Sequence, residues 1–152
     1  IYKNEQISRR YSYDESEKLC EKVTYKDGEK HGPCVTYQDN GQLLSKKTYK
    51  DGKRDGPSFG YRKNGQLKYK GTYKDGKDHG RYVGYHANGQ ILLKGSYKNG
   101  REHGPFVTYR DNGQLWEKVT FKDGKKHGPW VSYHCNGKLE YKGTYKDGKE
   151  LL

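Results

Sequence analysis

The stretch YKGTYKDGKDHG, Tyr69 to Gly80, decides the fold because it returns in altered form along the whole chain. Upstream stand VTYKDGEKHG from Val23 and KTYKDGKRDG from Lys47, and downstream GSYKNGREHG from Gly95 and VTFKDGKKHG from Val119. The glycines that follow Lys-Asp or Lys-Asn, namely Gly28, Gly52, Gly76, Gly100, Gly124 and Gly148, are always 24 residues apart. A second series (Gly32, Gly56, Gly80, Gly104, Gly128) and a third, the Asn-Gly pairs at Asn40, Asn64, Asn88, Asn112 and Asn136, keep the same spacing. A fixed period of this length is the mark of a repeat architecture.

Within each period two turn signals flank short segments rich in Thr, Tyr and Val, which predicts one β-hairpin per unit. Asn-Gly supplies residues that tolerate positive φ, as a type I′ turn requires. Pro33, Pro57, Pro105 and Pro129 open the second strand, where no ladder donor is needed, and Arg81 takes that place in the middle unit. Alternation assigns Leu115, Val119 and Phe121 to one face and Trp116, Lys118, Thr120 and Lys122 to the other, with Val131 and Tyr133 repeating the pattern on the partner strand. Two aromatic ladders are then expected to form the core: Tyr25, Tyr49, Tyr73, Tyr97, Phe121 and Tyr145, and Tyr37, Tyr61, Tyr85, Tyr109 and Tyr133.

The expected fold is all-β, an elongated, twisted single sheet of antiparallel hairpins. With strands ~4.8 Å apart, six two-strand units make a ribbon about 55–60 Å long. Residues 1–18, where Tyr13 to Leu19 occupies the turn slot without Asn-Gly, read as an N-terminal cap or degenerate unit. Residues 19–152 read as the array.

Composition agrees with an ordered but thin structure. Only 29% of the 152 residues are hydrophobic and 33% are charged, while 21 glycines and 14% aromatics fall in register. Lys and Arg outnumber Asp and Glu by 31 to 19, a net charge of +12, which favours acidic partners: an acidic protein, an anionic membrane surface or nucleic acid. Cys20, Cys34 and Cys135 have neither an even number nor Cys-x-x-Cys spacing, which argues against a disulfide framework or a zinc ribbon. No apolar run approaches the ~20 residues of a membrane-spanning helix. The chain opens on Ile1 rather than Met, which leaves room for a removed leader; periplasm or cell surface would follow in that case, and cytoplasm otherwise.

YKGTYKDGKDHG resembles the MORN repeat, Tyr-x-Gly-x-Trp-x-x-Gly-Lys-x-His-Gly: Tyr69, Gly71, Gly76, Lys77, His79 and Gly80 match, with Tyr73 in the tryptophan slot. Asn-Gly-Gln-Leu at Asn64 and Asn112, and Asn-Gly-Gln-Ile at Asn88, are similar to the bacterial variant class of these repeats. The likeness runs from about Leu19 to Lys149. The family's first glycine is kept at Gly71, Gly95 and Gly143 but is Val23, Lys47 and Val119 elsewhere; the glycine two places after His-Gly is replaced by Cys34, Tyr82, Phe106 or Trp130. The resemblance implies a non-enzymatic scaffold, dimerisation or membrane-apposed module, and for the bacterial variant class an antitoxin role.

The chemistry of single residues points the same way. His31, His79, His103 and His127 recur at the repeat spacing, so that neighbouring copies sit ~10 Å apart, too far to share one zinc ion, and read as turn residues bonded within their own loop. Asp27, Asp51, Asp75, Asp123 and Asp147 each precede a turn glycine, where local hydrogen bonding explains them without catalysis. No cofactor, metal or catalytic residue is expected. Lys50, Lys74, Lys98 and Lys122 form a row that would contact an anionic surface, or else guard an edge against aggregation. The positions that break uniformity, Arg81, Tyr82, Phe106, Trp116 and Trp130, are the candidate partner-binding residues; core packing is the other account of the aromatics. The leading expectation is a protein-binding antitoxin or immunity protein that occludes an acidic toxin. The alternative is a peripheral scaffold on anionic phospholipid; nucleic acid is disfavoured because Asp interrupts the cations at every turn, and a homodimer stays open.

Overall fold

The structure, a computed structural model, describes residues 5–152; Ile1 and the rest of residues 1–4 of the expected cap lie outside the described residues. The chain folds as β1 (Ile7–Tyr13), β2 (Leu19–Lys26), β3 (Glu29–Tyr37), β4 (Leu43–Lys50), β5 (Lys53–Tyr61), β6 (Leu67–Lys74), β7 (Lys77–Asp78), β8 (Gly80–Tyr85), β9 (Ile91–Lys98), β10 (Arg101–Glu102), β11 (Gly104–Tyr109), β12 (Leu115–Lys122), β13 (Lys125–Tyr133), β14 (Leu139–Lys146) and β15 (Lys149–Glu150). All belong to one open antiparallel sheet in which neighbours in sequence are neighbours in space, and among the described residues there is no helix. β7 with β8, and β10 with β11, are single long strands interrupted at His79 and His103.

The two turns of each unit differ. At Asp27-Gly28 both residues have positive φ (49° and 84°), the type I′ geometry whose twist matches the flanking strands, and Asn99-Gly100 does the same at 51° and 79°. At Asn40-Gly41 only the glycine is left-handed. There the Gly41 N–H donates to the Gln38 carbonyl and Gln38 N–H to the Gln42 carbonyl, while the Asn40 side chain accepts from Gln42 N–H at 3.0 Å, so the loop is a turn closed by one left-handed residue. The expectation of a type I′ turn at these Asn-Gly pairs is therefore corrected. The same loop recurs without glycine at Asp14 to Lys18, with Glu17 at φ 60°.

Each of these loops is followed by a β-bulge. Thr108 pairs with Glu117 but Tyr109 pairs with Leu115, so Trp116 is the extra residue, and the equivalent step is found at every Asn-Gly loop. The extra residue turns onto the face of its C-terminal neighbour: Glu140 reaches Ser132 at 3.1 Å, and Trp116 lies under the Arg110 guanidinium. Simple alternation thus fails at one place. Leu115 moves to the face of Lys118 and Lys122, and Trp116 to that of Val119 and Phe121. In β13, Trp130 pairs with Val119, and Val131 with Lys118, so Val131 and Tyr133 share the lysine side rather than the Val119 side. The two aromatic ladders accordingly lie on opposite faces.

One face is aromatic. Its central row runs Val23, Cys34, Lys47, Ser58, Gly71, then Tyr82, Gly95, Phe106, Val119, Trp130 and Gly143. This row accounts for the departures from the repeat pattern with one exception, Val119, which lies between Phe106 and Trp130. A Cβ on Gly95 would meet the Phe106 ring at 2.5 Å and one on Gly71 the Tyr82 ring at 3.2 Å, so glycine is kept where an aromatic covers it. Where the covering slot holds the small Cys34 or Ser58, the row has room for Val23 and Lys47. Val23 (2% exposed), Cys34 (5%), Ser58 (1%), Phe106 (8%) and Val119 (7%), with Ser132 (8%) in the next row, are the best-buried side chains of a core one layer deep.

Candidate binding surfaces

On the opposite face the ladder register lines residues into straight rows. The central row alternates Lys22, Val35, Lys46, Phe59, Lys70, Val83, Lys94, Val107, Lys118, Val131 and Lys142 across the sheet. From Lys46 onward each of these lysines is exposed, whereas the Val and Phe between them are half-buried. Toward the Asn-Gly rim lies a row of Tyr-Leu and Tyr-Ile pairs: Tyr37 with Leu43, Tyr61 with Leu67, Tyr85 with Ile91 and Tyr109 with Leu115. The Lys94 Nζ stands 5.4 Å from the Tyr109 ring centroid, which ties the two rows together. Toward the Asp-Gly rim come Pro-Thr pairs, with Arg81 opposite Ser96 in the middle unit.

The predicted Lys50, Lys74, Lys98 and Lys122 form the last row of this face, each opposite another cation: Lys50 with Lys53, Lys74 with Lys77, Lys98 with Arg101 and Lys122 with Lys125. Only the first unit places an acid there, Glu29 opposite Lys26, and Lys26 also bonds Glu5 at 2.8 Å. That bond holds the Lys26 ammonium above its ordinary pKa. Among the described residues Glu29 is the sole carboxylate at a paired strand position of this face. The central lysine row was not singled out from sequence, although the Lys-x-Thr-x-Lys spacing of Lys46, Thr48 and Lys50 carried the signal.

The five irregular residues do not come together in one patch. Arg81 is on the lysine face. Tyr82, Phe106 and Trp130 are packed on the aromatic face: Tyr82 stacks on Tyr69 at 6.2 Å, Phe106 meets Tyr97 edge-on at 5.3 Å, and Trp130 Nε1 donates to Glu117 at 2.6 Å beneath the Lys126 ammonium. Burial raises the Tyr82 and Tyr97 hydroxyl pKa values, and burial first, then a bond to Asp78, raises that of Tyr73. Of the four aromatics Trp116 alone is open, 44% exposed at the Asn-Gly rim. It lines a groove of about 360 Å³ with Leu92, His86, Arg110, Asp111 and Cys135, and two units earlier a groove of about 640 Å³ is lined by Leu44, Tyr61, Arg62, Lys63 and Lys68. Arg110 and Leu92 were missed by sequence reading.

Both rims are tied from unit to unit. Along the Asn-Gly rim Arg62 donates to the Tyr85 carbonyl at 2.8 Å and Arg110 to that of Tyr133 at 2.9 Å. Along the other, Gly76 N–H donates to the Arg54 carbonyl and Gly100 N–H to that of Asp78. The histidines belong to this second set: His31 Nδ1 lies 3.4 Å from Asp51 and accepts from its N–H, and His127 does the same to Asp147. They bond the next unit's turn rather than their own loop, because a turn in the adjacent hairpin is closer than their own once the strands are stacked. Among the described residues no three His, Cys, Asp or Glu side chains converge as for a metal ion.

The pattern of the MORN repeat variant matches six times, over residues 9–27, 30–51, 54–75, 78–99, 102–123 and 126–147. The chain belongs to the MORN repeat variant family. The first match takes in β1 and β2, so the strand pair at the N-terminal end is counted among the repeats. MORN repeats are generally modules that bind proteins or membranes. No curated protein matches this chain.

Proposed function

We propose that this MORN-variant ribbon works without catalysis, binding an acidic protein and occluding it in the manner of a bacterial antitoxin or immunity protein. The observation that supports it is the Asn-Gly rim of the aromatic face, where an exposed Trp116 lies 5.0 Å from the Arg110 guanidinium in a preformed groove. Tryptophan and arginine dominate the energetic centres of protein interfaces. Here the arginine is held in place by its bond to the Tyr133 carbonyl, so little ordering is left for a partner to supply. Arg62, Lys63 and Lys68 outnumber Asp39 around the neighbouring groove, which selects an acidic partner.

The test is rescue of cells that express the protein encoded beside this one. Rescue is expected, and both Trp116→Ala and Arg110→Ala should abolish it while the circular dichroism spectrum stays that of a sheet. Failure of the unaltered chain to rescue, or full rescue by both variants, would overturn the proposal.

A further inference from the structure

We infer that the lysine face is a track for a linear acidic polysaccharide that carries one carboxylate per disaccharide. The central lysine row is on the other side of the sheet from Trp116, the two surfaces meeting only at the rim, where Tyr109 borders both, so this inference stands apart from the proposed protein partner. Its basis is a coincidence of pitch. Two strands advance ~10 Å, so the lysines of the central row, from Lys22 to Lys142, recur at that interval, and so do the tyrosines of the adjoining row. An extended β-linked polysaccharide advances by nearly the same length per disaccharide, and in an alternating uronate–hexosamine chain each such step brings one carboxylate.

From Lys46 onward every period of the face offers the same three groups. An exposed ammonium meets the carboxylate, a half-buried tyrosine offers an apolar ring with a polar tip to the C–H face of a sugar, and a threonine or serine offers a hydroxyl. In the Lys94–Tyr109 pair the ammonium and the ring already border one small volume.

Other polyanions fit this lattice less well. Duplex nucleic acid carries a charge every ~1.7 Å, so most of its phosphates would meet no lysine of the central row. A membrane is flat, whereas a sheet of this many strands twists, and a plane would touch only some rows of a stripe that a flexible polymer can follow. Charge density alone does not account for the rows of Tyr and Thr, nor for the absence of paired carboxylates beyond Glu29.

The test is calorimetric titration with hyaluronan fragments lengthened one disaccharide at a time. Affinity should rise roughly threefold with each addition, the size of an exposed ion pair, and stop rising once the fragment spans the six lysines. Lys94→Gln with Lys118→Gln should end the rise at half that length, and Tyr109→Leu should weaken hyaluronan but not poly-glutamate. Lys18→Gln with Lys138→Gln, an equal loss of charge at two exposed loops, should change nothing. Affinity independent of fragment length, equal binding of poly-glutamate, or tighter binding of phosphatidylserine vesicles or oligonucleotides would each overturn the inference. Since lysine-to-glutamine changes at exposed positions leave the fold intact, no outcome is hidden by unfolding.

Discussion

At the scale of single residues, stability rests on a few close approaches. Gly95 is a clear case, because a methyl group there would have to displace the Phe106 ring, itself only 8% exposed. Gly95→Ala should cost about 1–3 kcal/mol by overpacking, measured as a lower midpoint in urea. Gly95→Ala combined with Phe106→Ser, the pairing used around Ser58, should recover part of the loss. Thiol chemistry separates two cysteines in the same way. Cys135 is exposed, whereas Cys34 is 5% exposed and its thiol pKa is raised, chiefly by burial. Native protein should therefore label quickly at Cys135 and slowly at Cys34, a contrast that mass spectrometry resolves and that urea should erase.

At the scale of elements, the hairpins carry a cost that the first unit avoids. Like charges face each other across the type I′ turn at Lys50 and Lys53, where Lys26 faces Glu29 instead. Lys53→Glu should stabilise the sheet by about 0.2–1 kcal/mol in thermal melts at low salt, and the gain should shrink as salt is raised. Equal stability at both salt concentrations would mean that the paired lysines do not repel. Retaining such pairs in five hairpins is understandable if the rim serves a ligand rather than the fold. This scale also shows what the residues disclosed beforehand. The unbroken 24-residue spacing and the Asp-Gly turns were enough for the strands, their order and the single sheet. The bulge was not legible, because its extra residue is Leu44, Lys68, Leu92, Trp116 or Glu140, and no side-chain type marks it. Its omission put Leu115 and Trp116 on the wrong sides, whereas Val131 and Tyr133 were misplaced by the hairpin register, which sets Trp130 rather than Val131 opposite Val119. The lysines of the central row were legible strand by strand in the Lys-x-Thr-x-Lys spacing, but their alternation with Val107 and Val131 is a property of register between strands.

At the scale of the whole molecule, each unit touches only its neighbours, so stability accumulates along the array. Excision of one full period, Lys53 to Gly76, joins Gly52 to Lys77 and leaves every turn and ladder of the same kind in place. The shortened chain should remain a folded sheet, with a maximum dimension in small-angle scattering reduced by ~10 Å. Its unfolding should be less cooperative and occur at lower denaturant. Collapse of the excised chain to a disordered coil would show that the units are not independent.

The strands run across the ribbon, and their ladder hydrogen bonds therefore point along it, end to end. Tension applied between the two ends would load these bonds a pair at a time, opening the sheet like a zipper from its margins instead of shearing it. Each unit so released would pay out about 80 Å of slack chain. A ribbon of this build is stiff enough to hold two bound objects at a set distance, yet yields stepwise at low force, which suits a tether that lengthens before it lets go.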